Sequence, residues 1–386
     1  MISTVGWDSA PAVAGWPGLP PLPGARSADV CVVGLGASGL AAVEAAVERG
    51  LSVVGLDAGR VAAGAAGRNG GFLLGGSALF LHDALARWGD CAVELYRETL
   101  SELDHLAATL PPGVLRRVGS IRLAGLPGDA RDQAAADARE QEAKDCAAHA
   151  AALLASGIAV EDYDGPLGTG IFLPDDAASN PAARAMAIAG RLEHCAALFE
   201  NTRVRKVRAG EVTTEHGPVY ADAIVVAVDG KLGRVVPKLT RRLRTARLQM
   251  LATAPVAAGR LPCPVYGRWG YDYAQQGLDG RLYVGGGRDR FESAEWTGRT
   301  EPSRQMQRYL DDVAERFAGS PVEVTHRWAA SVGFTSDGRP LCTLVDDGVV
   351  AIGGYNGTGN LIGPVAARAA LDYVLDGVPP PPYFAR

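Results

Sequence analysis

ADVCVVGLGASGL, residues 28–40, decides the fold. Val30-Cys31-Val32-Val33 is a short apolar run without alternation, which suits a central strand buried on both faces. Gly34-Leu35-Gly36-Ala37-Ser38-Gly39 follows and fits G-x-G-x-x-G. Its glycines have separate tasks: a tight turn, room for a pyrophosphate, and close packing of helix on strand. Ser38 to Arg49 has helical composition, with Gly50 as its stop. Ser52 to Asp57 then reads as a second strand, which completes a Rossmann-type β–α–β unit. Asp57 lies 23 residues after Gly34, where an acid can hydrogen-bond the ribose hydroxyls of an adenosine. The helix start presents free N–H groups and a positive dipole end to phosphates, with Ala37 at the turn and Ala58 next to the acid.

The fingerprint alone does not separate FAD from NAD. The next segment, Gly64-Ala65-Ala66-Gly67-Arg68-Asn69-Gly70-Gly71-Phe72, favours FAD. A second glycine-rich loop soon after the ribose acid suits another close approach of backbone to pyrophosphate and flavin, which an NAD domain does not need. Near the C-terminus, Gly353-Gly354-Tyr355-Asn356-Gly357-Thr358-Gly359-Asn360 separates the strand Val349 to Ile352 from a closing helix, about 361–375. A positive helix end there could face the edge of an isoalloxazine that gains negative charge on reduction.

The 386 residues exceed what one hydrophobic core normally holds, so two closely packed domains are expected. Residues 1–27, rich in Pro, Gly and Ala, read as an extended tail, with Trp7 and Trp16 fixing it to the surface. Helices are expected over 81–110, 128–156, from Pro181 to about His194, and over 302–317. Strands are expected at Ile121-Arg122-Leu123, at Ile171-Phe172-Leu173, across Val204 to Val228, and repeatedly between 246 and 290. A net charge of −5 argues against a nucleic-acid partner. The six scattered cysteines show neither CxxC nor zinc spacing, so no metal site is expected and the thiols read as free in a reducing compartment. No run of about 20 apolar residues and no signal peptide is found, so a soluble cytoplasmic enzyme is expected.

The ordered set of segments resembles the D-amino-acid oxidase, glycine oxidase and sarcosine oxidase family of FAD enzymes. The segments are ADVCVVGLGASGL (28–40), GLDAG (55–59), GRNGGF (67–72), ADAIVVAVDG (221–230), GRLYVGGGR (280–288), RWAASVGFTSDGRP (327–340) and GGYNGTGNLIGP (353–364). The GRNGG loop and the Trp/Pro-bearing N-terminus look most like the γ-glutamylputrescine oxidase branch. The resemblance implies an α/β FAD-binding domain of 28–80, 180–245 and 326–386, and a discontinuous mixed-sheet α+β substrate domain of 81–179 and 246–325. It places Gly34, Gly36, Ser38 and Gly39 on the pyrophosphate and Asp57 on ribose. Arg68, Asn69, Gly70 and Gly71 would lie beside pyrophosphate and flavin, and Val204 would offer its backbone to adenine. Gly333 and the turn Tyr355, Asn356, Gly357, Thr358, Gly359, Asn360 and Leu361 would edge the isoalloxazine. No Cys or His stands at the family's attachment positions, so non-covalent FAD is expected. Tyr283 falls where sarcosine oxidases carry an oxygen-activating Lys, which leaves oxidase and dehydrogenase both open.

The expected reaction is oxidation of a C–N bond in a small amine or amino acid, with O2 as the electron acceptor. A non-amine flavoenzyme acting on a hydroxyacid or C–C bond is an alternative, as is a subunit that holds FAD without turnover. No catalytic base is required, and none can be named. Tyr271, Tyr273 and Tyr283 are candidates for a substrate wall. Arg268 and Arg288 are candidates for a bidentate carboxylate contact, and His326 for a polar role near the flavin. The basic run Lys231 to Arg247 reads as a solvated connector face, with docking of an acidic partner as the alternative. The sequence does not indicate the oligomeric state.

Overall fold

Arg26–Val33 is the central strand of an eight-stranded sheet in the computed structural model, which describes residues 4–129 and 135–385. It pairs in parallel with Pro218–Val226 on one side and Val53–Leu56 on the other. Val53–Leu56 pairs with Ala197–Phe199, and Pro218–Val226 with Val349–Gly353, again in parallel. The strands Val204–Arg208, Glu211–Thr214 and Leu341–Asp346 complete the sheet with antiparallel pairings. Val30, Cys31 and Val32 are fully buried, as expected for a strand covered on both faces. The helices Ala37–Glu48 and Gly359–Asp376 pack together over one face through Leu40, Val43, Ala366 and Ala370.

A second eight-stranded sheet runs in the order Val324–Phe334, Arg244–Pro255, Arg281–Gly285, Asp272–Gln276, Val265–Gly267, Ser120–Leu123, Gly168–Leu173 and Glu161–Gly165. Its register separates two faces, because successive side chains of a strand point to opposite sides. Leu251, Val284, Ala274, Val265 and Ile121 are cross-strand partners in one row. That row packs with Met306, Leu310, Val313 and Phe317 of the helix Arg304–Ala318. The neighbouring row is Met250, Gly285, Tyr273, Tyr266 and Arg122, which faces the other way. A small sheet of Phe72–Leu73, Ala177–Ser179 and Leu115–Arg116 stands between the two large ones in sequence.

The fold class thus follows the sequence reading: an α/β nucleotide-type sheet combined with a mixed sheet. Local elements follow it with three adjustments. The helix expected over 81–110 is two helices, Leu81–Trp88 and Cys91–Thr109, because Gly89 at φ +68 ends the first. The helix expected over 128–156 is Ala136–Ala155, and residues 130–134 lie outside the described residues.

The third adjustment concerns the N-terminus, where the extended surface path gives way to Gly6–Ser9 and Pro11–Ala14, two short helical turns. Trp7 is buried, with its ring stacked parallel on Tyr283. Glu200 fixes the rest of the segment. It accepts hydrogen bonds from Trp16 Nε1, Leu19 N and Val61 N, so the N-terminal segment is tied to the strand-to-helix side of the first sheet. All six cysteines are unpaired. Among the described residues no helix is long and apolar enough to cross a membrane.

Candidate active site and cofactor cavity

A cavity of about 1300 Å³ lies at the C-terminal ends of the parallel strands and extends to the second sheet. In open α/β sheets this end collects the helix N-termini and their free N–H groups. Gly34, Gly36, Ala37, Ser38, Asp57 and Ala58 line it, as do Arg68, Asn69, Gly70 and Val204. So does the whole turn Tyr355 to Leu361. Gly39 and Gly71 lie just behind this surface. A Cβ on Gly39 would fall 1.7 Å from the Gly34 carbonyl oxygen, and one on Gly71 2.1 Å from Ser179 O. Gly333 also stands behind the wall and donates its N–H to Asp229.

Asp57 closes its strand with both oxygens in use. Oδ2 accepts from Leu35 N at 2.9 Å and Oδ1 from Gly59 N at 2.9 Å. Each oxygen keeps a lone pair for a further donor. Burial raises the Asp57 pKa, while the two backbone N–H groups and the nearby Lys231 oppose that shift.

The loop Arg68 to Gly71 is held by its carbonyls. Trp328 Nε1 donates to Arg68 O at 2.8 Å, and Trp7 Nε1 donates to Asn69 O at 2.8 Å. Gln275 Nε2 donates to Gly70 O, and Ser179 N to Gly71 O at 2.9 Å. Four successive carbonyls are therefore turned into the protein. Asn69 and Asn360 clasp side chain to side chain, with Arg184 Nη2 donating to Asn360 Oδ1 at 2.7 Å. This clasp joins the loop to the first turn of the helix Gly359–Asp376. Asp229 joins a third segment: Oδ1 accepts from Gly354 N at 2.8 Å and from Tyr355 N, and Oδ2 from Gly333 N at 3.0 Å.

The six substrate-side candidates separate. Tyr271, Tyr273 and Arg288 line the cavity. Tyr283 is on the same sheet face as Tyr273, but Trp7 covers its ring and its hydroxyl donates to Asp279 at 2.8 Å. His326 sits opposite Ala252, half-buried and outside the cavity wall, beside Thr325. Arg268 is a structural arginine in a turn, at φ +50. It is bound to Asp272 and Asp289, so its fork is already filled. Arg288 differs: its guanidinium carbon lies 4.6 Å from the Phe334 ring centroid, 5.3 Å from Trp296 and 5.5 Å from Tyr271. Among the described residues it forms no ion pair.

The segment read as a solvated basic connector is mostly exposed, as expected, at Lys231, Arg234, Lys238, Arg241, Arg242 and Arg244, and Arg247 departs from that reading by being buried. Lys231 and Arg234 line the cavity, Arg247 forms a buried bidentate pair with Glu295, and Arg244 lies over Trp296. Residues missed in the sequence are Asp229, Trp7, Phe334, Trp296, Arg122 and His149. Arg122 carried a local signal as a lone charge between Ile121 and Leu123, Asp229 and Phe334 lie inside segments that carried the resemblance, and Trp7 was read only as a surface anchor.

The family model for FAD-dependent oxidoreductases, DAO, matches residues 29–373. The chain belongs to this family of FAD-dependent oxidoreductases. It is 28% identical to a probable oxidoreductase OrdL of Rhizobium meliloti over 391 aligned positions, covering 92% of this chain and 86% of that protein. It is 25% identical to the gamma-glutamylputrescine oxidoreductase of Escherichia coli, covering 88% of this chain and 82% of that protein. Glycine oxidase from Geobacillus kaustophilus shares the fold with a TM-score of 0.70 at 19% identity, over 90% of this chain and 95% of that one. L-proline dehydrogenase from P. horikoshii gives 0.71 at 17%, over 94% and 98%.

The cavity fits the family's cofactor. Gly36 keeps the backbone bare at the cavity wall, where a Cβ would crowd that of Ala66 at 3.3 Å. A Cβ on Gly357, at φ +98, would have nothing within 4 Å. Asp57, which the resemblance assigns to the ribose, gives a test of cofactor binding. Asp57→Ala is expected to cost about 1.5–3 kcal/mol of FAD affinity, the value of a hydrogen bond to a charged group. Fluorescence titration of the apoprotein reads this, and unchanged affinity would remove Asp57 from the ribose contact.

Proposed function

We propose that the enzyme oxidises the C–N bond of a small amino acid or amine to an imine, which water then hydrolyses, with electrons passing to O2. The observation that carries this reading is Arg288, an arginine without an acidic partner that faces the same cavity as the flavin-type loop. An amino-acid carboxylate is the bidentate partner such a guanidinium lacks. Leu248, Met250, Tyr271, Tyr273 and Phe334 wall the same space. A weakly polar wall disfavours ammonium over amine, so it presents the neutral nitrogen that the reaction needs.

Gly34 to Gly39, Asp57, Arg68 to Gly71, Val204, Gly333 and Tyr355 to Leu361 are the residues we assign to FAD. Among the described residues no cysteine lines the cavity, and His149, which does, has its Nδ1 taken by Leu81 N, which supports non-covalent attachment. Bound FAD supplies the acceptor for the hydride lost from the carbon next to nitrogen. The chain's own work is to position that carbon, hold the carboxylate at Arg288 and exclude water. No side chain is needed as a base. In this reading 28–80, 180–245 and 326–386 hold the cofactor, while 81–179 and 246–325 shape the substrate space. The two large sheets drawn from these segments support that division, although Val324–Phe334 belongs to the second sheet and leads into the first. The relatedness to gamma-glutamylputrescine oxidoreductase supports an amine nitrogen as the reacting group.

Anaerobic bleaching of the flavin over a panel of amino acids, amines and hydroxyacids, followed by peroxide assay in air, tests the reaction. Arg288→Met tests the anchor. It is expected to lower kcat/KM for an amino acid by roughly 10- to 150-fold, the loss of about 1.5–3 kcal/mol for a charged hydrogen-bonded contact. FAD content should stay unchanged. Full activity of the variant on a carboxylate substrate would place the anchor elsewhere.

A further inference from the structure

The cavity does not end at the substrate wall. It continues past Phe72 and Tyr266 into a lobe lined by Phe80, Tyr96, Arg122, His149, Asp176 and Trp269. Arg122 is its centre. It is 7% exposed and lies between two rings, with its guanidinium carbon 4.3 Å from the Phe80 centroid and 4.4 Å from that of Tyr266. Among the described residues its Nε has no hydrogen-bond partner. Among the described residues it forms no ion pair.

Two acids near Arg122, Asp176 in the lobe wall and Glu142 outside it, are committed to other donors. Asp176 accepts from Gly75 N through Oδ1 at 2.8 Å and from Ser120 Oγ through Oδ2 at 2.6 Å, and burial pushes its pKa up to about 7. Glu142 takes Gly125 N on Oε2 and Trp269 N on Oε1, and burial raises its pKa as well. His149 adds a donor. Its Nδ1 accepts from Leu81 N at 2.9 Å, so the neutral ring carries its proton on Nε2. Burial and Arg122 hold His149 well below its ordinary pKa, which keeps the ring neutral.

Tyr266 hydrogen-bonds the Arg122 guanidinium, and Glu142 and Asp176 act on it only from a distance, so the cation is kept charged while no carboxylate among the described residues pairs with it directly, which leaves it free to take a ligand's anion. We propose that this lobe binds a carboxylate at the far end of the substrate, with Arg122 as its cation and His149 Nε2 as a neutral donor. The register fixes the span. Arg122 stands opposite Tyr266, and Tyr266 opposite Tyr273, so Arg122 is two strand spacings, about 10 Å, from the wall of the proposed reaction space. The substrate is therefore an extended amine with a distal acid, not only a compact amino acid. This assignment rests on the amine reading of the same cavity.

The test is anaerobic calorimetry on the FAD-loaded protein. The probes are straight-chain ω-aminocarboxylates and the matching alkylamines, in lengths that bracket a reach of about 10 Å, or eight to nine bonds of extended chain. One length of ω-aminocarboxylate should bind at least tenfold more tightly than its alkylamine. Arg122→Met should remove that margin, Arg122→Lys should keep part of it, and Arg288→Met should leave it in place. Melting temperature and FAD content identify any variant that misfolds, and the Lys variant preserves the test in that case. The absence of a length-dependent margin overturns the proposal, as does a margin that survives Arg122→Met in folded protein. Capture of acetate alone, without a margin for the long probes, also overturns it, because the lobe would then hold a separate anion. Flavin reduction is read on the same samples. Tight, Arg122-dependent binding without reduction would reject amine oxidation and leave the distal carboxylate site assigned.

Discussion

Gly39→Ala is expected to give a protein that loses FAD on gel filtration and melts well below the parent. The added Cβ would stand 1.7 Å from the carbonyl oxygen of Gly34 and 2.8 Å from its carbonyl carbon. Both obstacles are backbone, so no rotamer change relieves them. The helix Ala37–Glu48 would have to move away from the strand end at Val33, and its first N–H groups would move with it. Overpacking of a close-packed interior costs about 1–3 kcal/mol and more when the neighbours cannot yield. Here the displaced groups are also those we assign to the pyrophosphate, so stability and cofactor retention are expected to fall together. Gly190→Ala is the matched control. That glycine lies inside the helix Pro181–Leu192, and its Cβ would meet only Trp16, at 3.6 Å. The control should gain about 0.5–1 kcal/mol from the removal of a mid-helix glycine. A Gly39→Ala protein that keeps FAD and its melting temperature would show that the helix tolerates displacement at this turn.

What could be read from the sequence was local. The strand, the glycine turn, the helix and Asp57 follow one another within 30 residues, and each type of residue has a reason to be where it is. The loop Gly64 to Phe72 carried the same kind of signal. The substrate side depends on contacts between segments far apart, and there composition was not enough. Arg268 and Arg288 lie in one strand-rich region and look equivalent as text. Asp272, four residues on, and Asp289 fill the fork of Arg268, whereas Phe334 and Trp296 surround Arg288 without neutralising it. Tyr283 shares its sheet face with Tyr273, so the period-two pattern placed both toward the substrate. Trp7 arrives from the other end of the chain and stacks on Tyr283, which no local pattern announces. The same tryptophan holds Asn69 O, so the segment read as a surface tail supports the flavin-type loop.

Asp229→Ala should loosen FAD and destabilise the fold, and the reason lies in where three loops meet. Asp229 follows the strand Pro218–Val226, at φ +40, a conformation that few non-glycine residues adopt. Its carboxylate gathers the N–H groups of Gly333, Gly354 and Tyr355, which belong to two other segments of the proposed flavin edge. Burial raises its pKa, and the backbone N–H bonds oppose the shift. Alanine would remove the acceptor for all three donors. An unmet buried donor costs about 1–3 kcal/mol, and water from the adjoining cavity can replace part of that, so a total on the order of 2–5 kcal/mol is expected. Asp229→Asn keeps one carbonyl oxygen for Gly354 and Tyr355 but turns an NH2 group toward Gly333 N, so its loss should be intermediate. Asn also tolerates the left-handed backbone, which separates hydrogen bonding from strain. Asp229→Gly completes the comparison by removing the acceptor without the strain of alanine. FAD titration and thermal melting should rank the variants Asp, Asn, Gly and Ala from tightest to loosest. A glycine variant equal to the parent in both measurements would mean that the carboxylate does not hold the three loops together.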